Sequence, residues 1–222
     1  MPVRVKICGV RTPAILDAAV AAGADYVGFV FFPKSPRHLT PRAARPLAEL
    51  ASGRIETVAV VVDPDDELID DILSTVRPSL LQLHGGEAPE RVATIREHSG
   101  LRIVKAIGVA TADDVTRAAT YRGIADLILF DAKAPAGSDV PGGHGLAFDW
   151  SAFAGLEFEH PFALSGGLDP DNVWKALATT GADMVDVSSG VEQAPGEKDP
   201  DLVRAFIQAA RTAPLAERAK AS

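Results

Sequence analysis

The amino-acid sequence predicts an α/β protein that folds as one closed (β/α)8 barrel, and three observations support this. Short runs rich in β-branched residues alternate with stretches of helical length rich in Ala, Leu and charged residues, which is typical of βαβ units. Eight such units fit along the chain, whereas an open, doubly wound sheet normally has about five or six strands. The length of 222 residues matches the roughly 200–250 residues of a single-domain TIM barrel. We therefore expect the barrel at 1–213 and a flexible, polar tail at 214–222.

The strands and helices can be assigned in order along the chain. The predicted strands are the short apolar runs at 3–7, 25–31, 56–62, 80–84, 102–107, 126–131, 162–165 and 184–188. The predicted helices begin near Thr12, Thr40, Asp65, Ala88, Thr111, Asp149, Asp169 and Asp199, and the one near Asp149 is expected to be short. Three starts, at Thr12-Pro13, Thr40-Pro41 and Asp169-Pro170, place a capping side chain before a proline whose missing N–H costs nothing in the first turn.

Two of the connections that follow strands are longer than the others. The first contains Pro33-Lys34-Ser35-Pro36-Arg37-His38, and the second, at 132–147, is so rich in Gly and Pro that it cannot continue a helix. In this fold the loops that follow strands form the mouth where ligands bind, whereas the opposite loops mainly serve stability. We therefore expect the second insertion to be a mobile cover over a ligand site.

Side-chain alternation places polar residues inside the barrel near this mouth. Cys8 ends the inner face of the first strand, His84 that of the fourth, and Asp186 and Ser188 that of the eighth. Asp131 closes the sixth strand, next to the long cover. These side chains are the candidates for contact with a ligand.

Residue type alone leaves the roles of two of them open. A lone cysteine is more often a buried small hydrophobe than a nucleophile or base. Cys8, however, lies between Lys6 and Arg11 at a strand-to-helix turn, where cations favour a thiolate. Asp131 is placed to act on a ligand, but it could equally cap its loop or pair with Lys133.

Two turns of small residues follow the seventh and eighth strands. Leu164-Ser165-Gly166-Gly167-Leu168 precedes the helix near Asp169, and Val187-Ser188-Ser189-Gly190-Val191 follows the last strand. Glycines let backbone N–H groups approach an anion, and a helix N-terminus adds the positive end of its dipole. Glycine is ordinary at any tight turn, but two such turns at this place in the barrel favour a phosphate site.

Composition and charge exclude several classes of protein. The chain has 30 acidic and 22 basic residues, a net charge of −8, and lacks the Lys/Arg clusters that nucleic-acid binding needs. It has no apolar run of the ~18–20 residues of a membrane helix, no signal-peptide core, and only one cysteine. His84 could be a satisfied barrel histidine, since no second ligand accompanies it at metal-binding spacing. We therefore expect a cytoplasmic protein, monomeric or homodimeric, that binds no nucleic acid, membrane or metal.

Seven short motifs follow one another at the predicted strand ends. They are Lys6-Ile7-Cys8-Gly9, Ser35-Pro36-Arg37, Gln82-Leu83-His84-Gly85, the stretch 131–133, Gly142-Gly143-x-Gly145 leading to Phe148-Asp149-Trp150, Leu164-Ser165-Gly166-Gly167-Leu168, and Asp186-Val187-Ser188-Ser189-Gly190-Val191-Glu192. In this order, and over essentially the whole chain, they resemble the phosphoribosylanthranilate isomerase family of tryptophan biosynthesis. The resemblance implies an isomerase that converts N-(5-phosphoribosyl)anthranilate to 1-(2-carboxyphenylamino)-1-deoxyribulose 5-phosphate.

The resemblance also implies an Amadori rearrangement that needs no cofactor. Asp131 would be the general acid that opens the sugar ring, and Cys8, as thiolate, the general base that removes the C2′ proton. Arg37 would hold the anthranilate carboxylate. The further substrate-binding residues would be His84, Lys133 and Gly143. The phosphate-binding residues would be Gly166, Gly167, Ser189 and Gly190.

Two features depart from this pattern. His144 stands in the glycine-rich cover where the family has a small or amide residue, so its role is open. The acidic stretch Asp63-Pro64-Asp65-Asp66 follows the third strand and would repel an anionic substrate unless it points away.

Three other functions are alternatives at this stage. A histidine-pathway sugar isomerase, or the related bifunctional isomerase, would use an aspartate pair, and Cys8 on the first strand argues against both. A Schiff-base aldolase would need a lysine at a strand end, and Lys133 lies two residues beyond the sixth strand. A non-catalytic sugar-phosphate-binding protein would not need the acid, base and cover together.

Overall fold

A computed structural model describes residues 2–134, 137–138, 140, 142–143, 149–153 and 161–213. Eight parallel strands close into a barrel in sequence order, because the first strand pairs with both the second and the eighth. The strands are β1 (Arg4–Cys8), β2 (Tyr26–Val30), β3 (Glu56–Val61), β4 (Leu80–Leu83), β5 (Arg102–Val109), β6 (Leu127–Ala132), β7 (Phe162–Leu164) and β8 (Met184–Val187). The predicted barrel and its eight strands are confirmed, and the predicted tail at 214–222 lies outside the described residues.

Helices surround the barrel and begin close to the predicted positions. They are α1 (Pro13–Ala21), α2 (Pro41–Ala51), α3 (Asp66–Thr75), α4 (Pro89–Ser99), α5 (Ala112–Thr116), α6 (Val173–Thr180) and α7 (Pro200–Thr212). The side chain before α1, α2, α3 and α7 accepts a backbone N–H bond from the first turn, as a capping residue should. In the described part of the chain, no helix combines the length and the apolar character needed to cross a membrane.

Among the described residues after Asp149, the helix predicted there begins as a 3-10 turn, Trp150–Phe153. The Asp149 carboxylate accepts the N–H of Ser151, which closes this turn. Phe153 is buried against the rings of Phe130 and Phe162, with ring centroids 5.2 and 5.6 Å away. Phe153 therefore anchors this turn on the barrel.

The helix predicted near Asp169 begins one turn later than expected. Asp169 does cap a turn, since its Oδ1 accepts the N–H groups of Asp171 and Asn172, each at 2.9 Å. The regular helix starts only at Val173. Asn172 explains the delay, because its Nδ2 donates to the carbonyl of Gly167 at 2.8 Å and ties the turn to the small-residue loop after β7.

Strand alternation separates two apolar cores, as predicted. Val5 and Ile7 of β1 face outward, into the core between the barrel and the helices. Cys8 faces the barrel interior, whose buried core also contains Tyr26, Val30, Val58, Val60, Leu80, Val104, Ala106, Leu129, Ala163 and Met184. The parity also holds on β4 and β8, since Leu81, Leu83, Val185 and Val187 belong to the outer core.

A short antiparallel hairpin that we did not predict follows β8. A 3-10 turn, Ser189–Val191, leads into β9 (Glu192–Ala194), which pairs with β10 (Glu197–Lys198). At Gly196 the backbone has a φ of 83° and passes so close to the loop after β2 that a Cβ would lie 2.7 Å from the carbonyl of Pro36. The hairpin thereby connects the last strand to the loop that carries Arg37.

Candidate active site

One cavity opens at the carboxyl ends of the barrel strands and contains most of the predicted site residues. Its lining includes Cys8, Arg37, His84, Asp131, Lys133, Gly143, Gly166, Gly167 and Ser189. Gly190 is not part of this lining. It packs against Leu168 instead, so closely that a Cβ would clash with the carbonyl of Leu168. Its role is to let the two small-residue turns touch each other. The cavity lies at the end of the barrel where this fold binds ligands.

Cys8 lies at the floor of the cavity, next to a buried ion pair. Lys6 Nζ is 2.7 Å from Asp186 Oδ2, and both side chains are almost completely buried. Gly28 on β2 makes room, since a Cβ there would lie 3.1 Å from both Cys8 Sγ and Lys6 Cε. Burial raises the pKa of the Cys8 thiol above its ordinary value, and the cations of Lys6 and Lys198 offset this only in part. Burial therefore opposes the thiolate that the neighbouring cations favour.

Lys6 is the cation that faces this thiol. Burial opposes its charge, yet the Asp186 carboxylate and the Cys8 thiol raise the pKa of Lys6 above its ordinary value, so it stays an ammonium. Arg11, the other cation expected beside Cys8, instead donates from Nη1 to the carbonyl of Pro36 at 3.0 Å. Lys6 therefore brings its positive charge to the thiol from within the barrel interior.

Asp131, near the end of β6, is held at both of its carboxyl oxygens. Oδ1 accepts the N–H of Ala132 at 2.9 Å, and Oδ2 lies 3.0 Å from His84 Nε2. Asp131 is only 3% exposed. A Cβ on Gly142 would lie 2.5 Å from Asp131 Oδ2 and 3.1 Å from His84 Nε2, so the backbone of the glycine-rich loop passes directly against this pair. Asp131 therefore sits in a desolvated environment at the edge of the cavity.

Lys133 lies at the rim of the cavity and does not pair with Asp131. Its Nζ is 3.8 Å from Asp114 Oδ1, and its side chain is 58% exposed. The interpretation of Asp131 as the ion-pair partner of Lys133 is therefore wrong. An exposed lysine at the rim can meet an anionic group of a ligand, but it lacks the desolvated pocket of a Schiff-base lysine.

Arg37 is fixed by the hairpin after β8. Glu192 accepts from Arg37 Nε and Nη2, both at 2.8 Å, and Lys198 Nζ lies 3.0 Å from Glu192 Oε1 and from the carbonyl of Ser188. Glu192 thus occupies the side edge of the guanidinium. The end edge, formed by Nη1 and the second Nη2 hydrogen, is directed toward Gly143, whose carbonyl is 3.5 Å from Nη2. A planar carboxylate can bind to that end edge through two parallel hydrogen bonds.

The charges in this cluster favour an anionic ligand. Burial by itself would raise the pKa of Glu192, but Arg37 and Lys198 hold it below its ordinary value, so Glu192 is ionised. Burial lowers the pKa of Lys198, although Glu192 opposes the change. When Lys198 is protonated, two cations and one anion leave a net charge of +1 beside the cavity.

The two small-residue turns lie side by side, where Gly190 meets the backbone of Leu168. Gly166 and Gly167 have φ values of 85° and 62°, in the left-handed region that favours glycine. A Cβ on Gly166 would clash with Ala132 next to Asp131. Ser189 begins a 3-10 turn, and the first N–H groups of such a turn have no partner within it. This backbone is suited to an anion such as phosphate.

The acidic stretch after β3 points away from the cavity, and its charges are engaged elsewhere. Asp63 accepts the N–H of Gly86 at 2.8 Å, Asp65 caps α3, and Asp66 lies 2.7 Å from Arg91. Val62 is the nearest residue of this loop in the cavity lining. His144 lies outside the described residues. Among the residues that the structure describes, no three or more His, Cys, Asp or Glu side chains are grouped to hold a metal.

Three residues that contact the predicted site were not assigned a role from the sequence. Glu192 and Lys198 hold Arg37, and Gln82 contacts His84. Gln82 and Glu192 fall within the motifs that carried the resemblance, which is a usable signal. Lys198 lies in a hairpin with no strand signal, and nothing in its local sequence indicates burial.

Comparison with known proteins agrees with this arrangement. The family described as N-(5'phosphoribosyl)anthranilate (PRA) isomerase matches residues 5–209. The N-(5'-phosphoribosyl)anthranilate isomerase of Brucella canis is 53% identical over 222 residues, which cover 99% of this chain and 100% of that protein.

Solved structures show the same likeness. The phosphoribosyl anthranilate isomerase of Thermotoga maritima is 41% identical, with a TM-score of 0.84 over 94% of this chain and 98% of that one. A second structure from that organism, 39% identical over the same shares with a TM-score of 0.79, describes monomers generated from a dimeric enzyme. Another isomerase, 38% identical with a TM-score of 0.78 and the same coverage, was solved with reduced 1-(o-carboxyphenylamino)-1-deoxyribulose 5-phosphate. The chain belongs to the N-(5'-phosphoribosyl)anthranilate isomerase family.

Proposed function

We propose that this chain isomerises N-(5'-phosphoribosyl)anthranilate in tryptophan biosynthesis by an Amadori rearrangement, with Asp131 as general acid and Cys8 as general base. The reaction opens the furanose ring by protonation of its oxygen and then removes the C2′ proton to give an enolamine, which becomes the ketose. It therefore requires one acid and one base at different positions around the sugar. The observation that carries the proposal is that a single cavity contains both groups, a carboxylate-binding arginine and two anion-binding turns.

Asp131 is suited to the role of acid. Its side chain is buried, and both oxygens are held in place by Ala132 and His84. The backbone of Gly142 closes over this carboxyl group, since a Cβ there would lie 2.5 Å from Asp131 Oδ2. The proton passes from Asp131 to the ring oxygen, the bond between C1′ and the ring oxygen breaks, and the carboxylate remains with its two hydrogen bonds.

Cys8 is suited to the role of base because it is the one thiol of the chain and lies three strands from β6 around the barrel. Only the thiolate accepts the C2′ proton. Since burial raises the pKa of this thiol, the reactive form is a minor fraction near neutral pH. Lys6, next to it, stabilises the thiolate when it forms and the negative charge that passes through the transition state.

The two ends of the substrate are held by different means. The end edge of Arg37 binds the anthranilate carboxylate, which takes the place of the Gly143 carbonyl there. The 5′-phosphate binds to the backbone of Gly166, Gly167 and Ser189, with Gly190 shaping the second turn, and Lys133 meets it from the rim. His84 contributes through its contact with Asp131. Holding both ends places C2′ near the base, a positioning effect that can be worth several kcal/mol of the barrier, out of about 7–11 for ideal alignment.

The test is the activity of Cys8→Ser and Asp131→Asn with freshly prepared phosphoribosylanthranilate, followed by loss of its fluorescence. Each change removes the acid or base but keeps the size of the side chain, so kcat should fall by at least about 100-fold. Binding of reduced 1-(o-carboxyphenylamino)-1-deoxyribulose 5-phosphate should be largely unchanged. Asp70→Asn is the matched control, because the Asp70 carboxylate is exposed on α3, outside the cavity lining, and pairs with His98 at 2.7 Å. A variant that keeps more than about a tenth of the wild-type kcat would remove that residue from its role.

A further inference from the structure

Gln82 is a completely buried amide in the barrel interior, one step below the cavity. It lies on β4 with 0% exposure, and His84 follows two residues later on the same face. Its Nε2 is 3.0 Å from His84 Nδ1, and the other ring nitrogen of His84 is 3.0 Å from Asp131 Oδ2. Gln82, His84 and Asp131 therefore form a continuous chain of hydrogen bonds from the core to the cavity.

The direction of this chain follows from what each group can donate. An amide nitrogen only donates, so the bond to Gln82 Nε2 requires a lone pair on His84 Nδ1. A neutral imidazole with a lone pair on Nδ1 carries its proton on Nε2. That proton points at Asp131 Oδ2, which accepts it. Each bond therefore donates toward the carboxyl group.

The environment of Gln82 argues against a merely space-filling role for its amide. The Gln82 Oε1 atom is buried and has no hydrogen-bond partner among the described residues. An unpaired buried oxygen is costly, and a methionine would fill the same space without that cost. In the described part of the chain, the bond to His84 is the polar contact that this amide makes. We therefore attribute the presence of the amide to that bond.

We propose that Gln82 is a positioning residue for the reaction, which sets the tautomer of His84 so that His84 donates to Asp131. The inference rests on the proposed role of Asp131 as general acid. Each carboxyl oxygen has two lone-pair sites, so Oδ2 can carry the transferable proton on one side and accept from His84 on the other. When the Asp131 O–H bond breaks and the ring oxygen gains the proton, the carboxylate that remains keeps the N–H bonds of His84 and Ala132. The developing negative charge is thereby stabilised by donors that are already in place.

Other charged groups near His84 have defined places. Asp131 faces it from β6, and Asp186 lies on β8, paired with Lys6 of β1. Within the described residues, Gln82 is the group hydrogen-bonded to Nδ1.

The direct test is ¹⁵N NMR of the histidine side chains in the full-length protein, with the His84 signals identified by their loss in His84→Gln. We expect the wild type to carry its ring proton on Nε2, with Nδ1 unprotonated. A wild-type His84 with the proton on Nδ1 would overturn the proposal, and this measurement depends on no variant of Gln82.

Two substitutions extend the test to catalysis. Gln82→Met removes the donor at similar size, and Gln82→Glu presents an acceptor that draws a proton onto Nδ1. Both should lower kcat by about tenfold, the equivalent of one hydrogen bond, while KM changes by less than about twofold. In Gln82→Glu the NMR signal of Nδ1 should change to the protonated form. Wild-type kcat in both variants would show that Gln82 only fills the core. A lower kcat together with a lower temperature of unfolding, but without any change of tautomer, would show the same.

A failure of this inference can be distinguished from a failure of the assignment of Asp131 as the acid. If Asp131→Asn keeps its activity, Asp131 is not the acid, whatever the tautomer of His84. If Asp131→Asn is inactive and the tautomer is set by another group, only the role of Gln82 is wrong.

Discussion

Replacing Lys105 by methionine perturbs a buried ion pair that supports the loop next to His84. Lys105 lies on β5, and its side chain and that of Glu87 are 2% and 1% exposed. Lys105 Nζ donates to Glu87 Oε2 and to the carbonyl of Gly85, both at 2.8 Å, and to the carbonyl of Ala106 at 2.9 Å. The ammonium also lies 5.6 Å from the centre of the Tyr121 ring. One side chain thus ties together the end of β4, the start of α4 and the 3-10 turn after α5.

The expected loss of stability follows from what remains after the change. Methionine keeps the apolar stem of Lys105 but leaves the Glu87 carboxylate buried, with only the N–H groups of Asp63 and Gly85 as donors among the described residues. Removing one member of a buried ion pair costs about 3–5 kcal/mol, because the other charge stays buried without compensation. Against a total stability of about 5–15 kcal/mol, this is a large fraction.

Urea unfolding at pH 7, followed by circular dichroism, measures the change in the free energy of unfolding. Arg45→Met is the matched control, since Arg45 pairs with Glu49 at the same 2.8 Å but both side chains are more than 60% exposed. The control should lose no more than about 0.5 kcal/mol. Adding Glu87→Gln to Lys105→Met should recover part of the loss, because a neutral amide is less costly to bury than a charge. A loss below about 1 kcal/mol for Lys105→Met, at unchanged denaturant dependence, would refute the reasoning.

Two further predictions concern the cavity. Because burial raises the pKa of Cys8, the ultraviolet absorbance of its thiolate, taken as the difference from Cys8→Ser, should appear only above the pH at which a free cysteine ionises, about 8.5; a thiolate signal already present at pH 7 would contradict this. Arg37→Lys should raise KM by about 10–100-fold with a smaller effect on kcat, because an ammonium cannot bind Glu192 and a substrate carboxylate through two separate planar edges. Steady-state kinetics over a range of substrate concentrations measure both constants, and an unchanged KM would show that Arg37 has no such role.

The fold was predictable because its signals are local. The alternation that separates Ile7 from Cys8, and the threonines before α1 and α2, act over a few residues of chain. The late start of α6 and the turn after Asp149 depend on contacts outside that range. Phe153 anchors its turn on Phe130 and Phe162, and Asn172 bonds back to Gly167.

The site was predictable in its membership but not in its internal bonds. Parity and the position of strand ends were enough to bring Cys8, His84 and Asp131 to one cavity. The bond from Arg37 to Glu192 joins residues 155 positions apart, through a hairpin without a strand signal. The pairing of Lys133 with Asp114 rather than Asp131 likewise depends on which loops lie together at the rim.

The sequence by itself determined the barrel, the end of it that binds a ligand and the residue types available for acid and base chemistry. The tertiary structure alone decided the burial that raises the pKa of Cys8, the edge of Arg37 that Glu192 occupies and the groups that meet the two ring nitrogens of His84. The physical reason is that periodicity and capping depend on neighbours along the chain. The pKa of a thiol and the direction of a hydrogen bond depend instead on burial and on charges that approach from distant segments, such as Asp186 and Lys198 around Cys8.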